Sequence, residues 1–123
     1  MRISKAWKDF ERECARYFKG IRRVRISYGE RGSDIIHPIY SIECKYGKQI
    51  PQKALEGKPC KFLDAAFAQA MSYNPTLIPV VCLKSPGMRG FVFIMLDATN
   101  LSYPEKKVTR VTRVPLNHPT SAR

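Results

Sequence analysis

At 123 residues the chain is long enough for one domain that buries its own core without disulfide or metal staples. Its 44% hydrophobic and 26% charged residues are ordinary for a globular protein, and no apolar run reaches the roughly 18 residues of a membrane-spanning helix. The 22 Lys and Arg against 10 Asp and Glu leave a net charge of +12. That surplus repels itself and points to a polyanion such as nucleic acid as partner, with high solubility alone as the plainer alternative.

Residues 5–20 are predicted as the first helix. Ser4 can cap its start and Gly20 ends it, while Ala6, Phe10, Cys14, Tyr17 and Phe18 recur at helical spacing with Trp7 beside them. Glu11 lies at the border of that stripe, and Asp9, Arg12, Arg16 and Lys19 face outward. The opening segment runs straight into this charged helical pattern with no signal-peptide core, so a cytoplasmic location is expected.

In IRRVRISYG (21–29), Val24 and Ile26 alternate with Arg23 and Arg25, the pattern of a half-buried strand with a basic outer face. Residues 34–37 and 40–46 read as the two arms of a hairpin that turns at Pro38-Ile39. Residues 47–60 mix Pro, Gly and Lys without a period, the signature of a mobile basic loop. A second helix follows over 61–74, with Phe62, Leu63, Ala66, Phe67, Ala70 and Met71 inward and Pro75 as its stop.

LIPVVCLK (77–84) and GFVFIMLD (90–97) are continuous apolar runs, hence strands covered on both faces. FVFIML (91–96) is a candidate dimer interface on this pattern, with burial under the second helix as the alternative. After Tyr103, Val, Thr and Arg alternate before a tail expected to fray. The main domain is therefore expected over 1–103, and 104–123 as a C-terminal strand and partly flexible tail.

Cys14, Cys44, Cys60 and Cys82 include no C-x-x-C pair, and His37 and His118 do not complete a zinc motif. Each cysteine is expected to act as a small buried hydrophobe in a reducing compartment, with two disulfides as the alternative.

The hairpin carries the chemistry. Side chains alternate along YSIECKY, so Ser41, Glu43 and Lys45 share one face and Ile42 and Cys44 the other. An even-numbered turn centred on Pro38-Ile39 places Asp34 opposite Glu43, with side chains about 5 Å apart. Two carboxylates that close repel unless a cation joins them, and Mg2+ favours such oxygen donors. Lys45, two residues beyond Glu43, can polarise a water or neutralise charge developing on a phosphate. An ordinary cross-strand salt bridge of Lys45 with Asp34 or Glu43 is the competing explanation.

Ser33-Asp34 followed by Glu43-Cys44-Lys45 resembles the bipartite D…E-x-K signature of the PD-(D/E)XK nucleases, without the proline of the name. Over roughly residues 5 to 97 the chain is similar to the archaeal-type Holliday junction resolvases of that superfamily. The likeness rests on Glu11-Arg12-Glu13 in the first helix, the basic VRISYG strand, the acid hairpin, GKPCKFLDAAFAQA and IPVVCLK. The hairpin is shorter than in the archaeal members.

The resemblance implies an α/β, restriction-endonuclease-like domain: a central mixed sheet of about five strands flanked by helices. It implies a metal-dependent endonuclease acting on four-way DNA junctions as a homodimer, with Mg2+ (or Mn2+) as cofactor and no small-molecule cofactor or membrane partner. Asp34, Glu43 and the Cys44 carbonyl would be metal ligands and Lys45 the catalytic lysine. Glu11 would be the helix-borne acid, directly or through a water, with Glu13 as its competitor. Arg12 and Arg25 match positions directed at phosphate.

Gln69 and Tyr73, one helical turn apart, resemble a Gln-x-x-x-Tyr element in which the Gln supports the lysine or the nucleophilic water; chance spacing is the alternative. Ser33 is a further supporting position. DNA contacts are expected from Arg12, Arg23, Arg25, Arg31, Lys48, Lys53 and Lys58, gripping phosphate rather than reading bases. The alternatives are another nuclease on the same scaffold, of repair or restriction-like type, and a catalytically inactive DNA-binding protein.

Overall fold

A computed structural model describes residues 4–22, 32–96 and 108–114 of the chain. Nine elements follow in order: α1 (Ser4–Phe18), β1 (Ile21–Arg22), β2 (Ile35–Ile36), β3 (Tyr40–Tyr46), α2 (Gln52–Leu55), α3 (Lys61–Tyr73), β4 (Ile78–Lys84), β5 (Phe91–Leu96) and β6 (Val108–Val114). The six strands form one sheet in sequence order. All neighbours pair antiparallel except β3 and β4, which are parallel and joined through α2 and α3. This is the expected α/β class, a mixed sheet with helices against it. The sheet has six strands where about five were expected, because the segment after 103 supplies β6, which pairs along β5.

The two faces divide the core. On one, α1 sets Phe10, Cys14 and Ala15 against Ile35, Ile42, Cys44, Val80, Cys82, Phe91 and Phe93. Tilted and edge-on ring pairs knit this layer, with Phe10 5.6 Å from Phe91 and Phe18 5.1 Å from Phe93. On the other, α3 lays Leu63, Ala66 and Phe67 on Val81, Leu83, Val92 and Ile94. Burying each large ring contributes about 1.5–3 kcal/mol, which is why the helical stripes and the strands find each other.

β5 is buried on both sides within its own chain: Phe91 and Phe93 under α1, Val92 and Ile94 towards α3. Its apolar run is therefore explained without a partner, which removes the reason for choosing 91–96 as a dimer interface.

Two further expectations are corrected. Residues 47–60 contain the helical turn α2, and its Ala54, with Ile50 before it, is buried in the α3-side core. Lack of period hid this, because a single turn has only one or two inward positions to show. On α1, Ala6 and Trp7 are exposed, so the buried stripe starts at Phe10 and includes Ala15.

The end of α1 is built differently from a simple glycine stop. Lys19 takes the left-handed conformation (φ 60°), and Gly20 N–H donates back to the Ala15 carbonyl at 2.9 Å. Gly20 is needed for closeness: a Cβ there would stand 2.6 Å from Ile35 Cγ2 and 2.9 Å from the Ile36 carbonyl oxygen. His37 completes the junction. Its Nδ1 accepts from the N–H groups of Ile39 (3.0 Å) and Tyr40 (3.2 Å), so its Nε2 is the protonated nitrogen that donates to the Phe18 carbonyl at 2.9 Å. One imidazole thus ties the hairpin tip to the helix end. No described helix is long and apolar enough to cross a membrane.

Candidate active site

β4 and β5 are apolar on both faces, but β3 is not. Ile42 and Cys44 enter the α1-side core, while Ser41, Glu43 and Lys45 alternate to the face covered by α3. That polar half-strand is the floor of the site. The hairpin register is the one read from its turn length: Ile35 pairs with Ile42, and Asp34, just before β2, is joined to β3 at Cys44.

Asp34 and Glu43 are 7% and 4% exposed, an unusual depth for two carboxylates. Asp34 Oδ2 accepts the Cys44 backbone N–H at 2.8 Å, so the first acid is clamped to the strand that carries the second. Glu43 Oε2 lies 3.1 Å from Lys45 Nζ. Its Oε1 is buried and takes no hydrogen bond among the described residues.

Lys45 Nζ also donates to Gln69 Oε1 at 2.9 Å, and Gln69 Nε2 donates to the Tyr73 hydroxyl at 2.7 Å. Gln69 is therefore bonded directly to Lys45, and Tyr73 is joined to it through Gln69. Ser41 Oγ donates to the Ala70 carbonyl at 2.6 Å, which leaves Ser33 Oγ, 3.2 Å away, as donor to Ser41. This chain fastens the segment before Asp34 to β3 and β3 to α3. Nothing in the sequence singles out Ser41 beyond its place on the same face as Glu43.

The two helix acids separate. Glu11 is buried and paired with Arg22 of β1 at 2.8 Å, on the hairpin side of the sheet. Glu13 pairs with Lys84 at the end of β4, at 3.3 Å. Arg22, eleven residues from Glu11, has no sequence signal that marks it as its partner. Among the described residues no three acids bring their oxygens together as a ligand triad, so Glu11 does not join Asp34 and Glu43 in direct ligation distance of a common point. The three cysteines Cys14, Cys44 and Cys82 do come together, in the α1-side core.

Of the expected DNA contacts, Lys48, Lys53 and Lys58 are exposed around α2, and Arg12 is exposed on α1. Arg12 pairs with Asp9 at 2.9 Å and Lys58 with Glu56 at 3.2 Å, surface pairs of little energy that a phosphate can displace. Arg23, Arg25 and Arg31 lie outside the described residues.

Asp34, Glu43 and the Cys44 carbonyl are hard oxygen donors on adjacent hairpin arms, a set whose chemistry fits Mg2+. Comparison with protein families, with curated proteins and with solved structures found no match for the chain.

Proposed function

We propose that the protein is a metal-dependent endonuclease that resolves four-way DNA junctions. One observation carries this reading: two buried carboxylates in register share a hairpin with a lysine that Glu43 and Gln69 both hold. Burying such groups is costly, and clusters of this kind concentrate at functional sites.

In this reading Asp34, Glu43 and the Cys44 carbonyl would hold Mg2+, which when bound would supply Lewis-acid chemistry for a water nucleophile and a phosphate. Lys45 presents its ammonium to the attacking water or to a non-bridging phosphate oxygen, and Gln69 and Tyr73 fix its direction. The Asp34–Cys44 hydrogen bond keeps the two acids in one geometry. Glu11, held by Arg22, would take part only through an intervening water. Exposed Arg12, Lys48, Lys53 and Lys58 grip phosphates without reading sequence. Cleavage leaves 5′-phosphate and 3′-hydroxyl ends, as the resemblance implies.

A four-way junction offers two equivalent strands, so a twofold pair of chains supplies the two cuts. With β5 enclosed by its own helices, that pairing uses another surface.

The test is incubation of the purified protein with a labelled immobile four-way junction and with a linear duplex of the same arms, with and without Mg2+. Paired symmetric nicks in the junction alone, and only with metal, are expected. Tight binding without cutting in Mg2+ or Mn2+ reduces the site to a salt bridge in a DNA-binding domain. Cutting of duplex or flaps in preference assigns a different nuclease.

A further inference from the structure

Cys14 comes from α1, Cys44 from β3 and Cys82 from β4, where the parallel register sets Cys44 beside Cys82. Their sulfurs lie within 4.8 Å of one another, and all three residues are at most 3% exposed. No described His, Asp or Glu completes a larger group with them. The surrounding core is apolar, with Phe10, Phe91 and Phe93 in the same cluster.

That inventory narrows the ligand. Hard cations need oxygen donors, and structural zinc takes four ligands, whereas three sulfurs in a dry core favour a soft ion of low coordination number. Around a pyramidal three-coordinate ion with bonds of about 2.3 Å, sulfurs stand about 3.4 Å apart, so closure from within 4.8 Å asks each sulfur to move by roughly 1 Å.

Charge then selects among soft ions. Three thiolates on a monovalent or divalent cation leave net negative charge in an apolar layer, which is costly. With all three sulfurs bound as thiolates, a trivalent ion makes a neutral complex.

We propose that Cys14, Cys44 and Cys82 form a binding site for trivalent arsenic, taken up as neutral arsenous acid. Three S–H bonds and three As–OH bonds break, three As–S bonds form, and three waters leave. The oxidation state does not change, and no net charge is buried at any stage. A pocket of about 360 Å3 is lined by Phe10, Tyr46, Glu13 and Lys84, of which Phe10 and Tyr46 also pack in the cluster that holds the cysteines. Cys44 also donates its N–H to Asp34, so loading the thiols pulls on the acid hairpin. Inhibition of cleavage by arsenite follows from that link and rests on the nuclease reading; binding itself does not.

The experiment adds arsenite to the reduced, folded full chain and reads intact mass and the ultraviolet sulfur-to-arsenic absorption. One arsenic per chain, with loss of three hydrogens, is expected. Cys60→Ala, which leaves the cluster untouched, binds equally, and Cys82→Ala and Cys14→Ala lose the three-sulfur product. Should those variants unfold, alkylation in denaturant of the wild type with and without arsenite gives the answer, with Cys14, Cys44 and Cys82 protected only in the loaded protein and Cys60 modified in both. No adduct, an adduct indifferent to Cys82→Ala, protection of a different set, or preference for Cu(I) or Zn(II) in competition overturns the proposal.

Discussion

Lys45 and Gln69 are 24 residues apart, yet the lysine ammonium donates to the Gln69 amide oxygen at 2.9 Å on the face of β3 that α3 covers. Gln69 in turn donates to Tyr73, so it has no freedom to turn away. Gln69→Ala should lower metal-dependent turnover about 10- to 100-fold, the range for a group that orients another. Stability should change by only about 1 kcal/mol, the worth of an ordinary hydrogen bond. Single-turnover rates beside a urea titration separate the two effects. An unchanged rate would falsify the positioning role.

Asp34→Asn keeps an oxygen that can accept the Cys44 N–H, so the hairpin should hold its register. In the proposed function, the charge that would hold Mg2+ is lost. Cleavage should fall to background while junction affinity stays within a few-fold of wild type, read by gel shift in calcium. Retained Mg2+-dependent turnover removes Asp34 from the metal site.

His37 holds three backbone groups at once: the Phe18 carbonyl and the N–H groups of Ile39 and Tyr40. His37→Ala should destabilise the fold by about 1–2 kcal/mol, at the lower end because water reaches the exposed hairpin tip. A denaturant midpoint unmoved from wild type would mean the tip carries no stability.

Gly20→Ala inserts a methyl group 2.6 Å from Ile35 Cγ2 and 2.9 Å from the Ile36 carbonyl. The hairpin must shift away from α1, at a cost of about 1–3 kcal/mol, as for overpacking in a core. Because Ile35 precedes the turn beside Asp34, turnover should fall with stability. Thermal unfolding and activity measured on one preparation test the coupling.

The exposed lysines around α2 bear on affinity rather than chemistry. Replacing Lys48, Lys53 and Lys58 together with Ala should lower the slope of log affinity against log salt by roughly 2–3, about one for each phosphate no longer neutralised. A slope equal to that of wild type would place the DNA path elsewhere.

The sequence by itself determined the hairpin register and the kinds of element apart from the helical turn α2. Helical spacing, strand alternation and the length of the Pro38-Ile39 turn are local properties, and Ile35 does pair with Ile42 as that turn requires. Alternation likewise told that Ser41, Glu43 and Lys45 share a face, but not what would cover it. Tertiary packing decided that: the parallel crossover through α3 lowers Gln69 onto Lys45 and the Ala70 carbonyl onto Ser41. It also sent Glu11 to Arg22 and Glu13 to Lys84, closed β5 under both helices and gathered three cysteines from separate elements. Periodicity names the face a residue occupies. Which distant face it meets depends on the fit of whole layers, because the apolar area that drives assembly is blind to sequence distance.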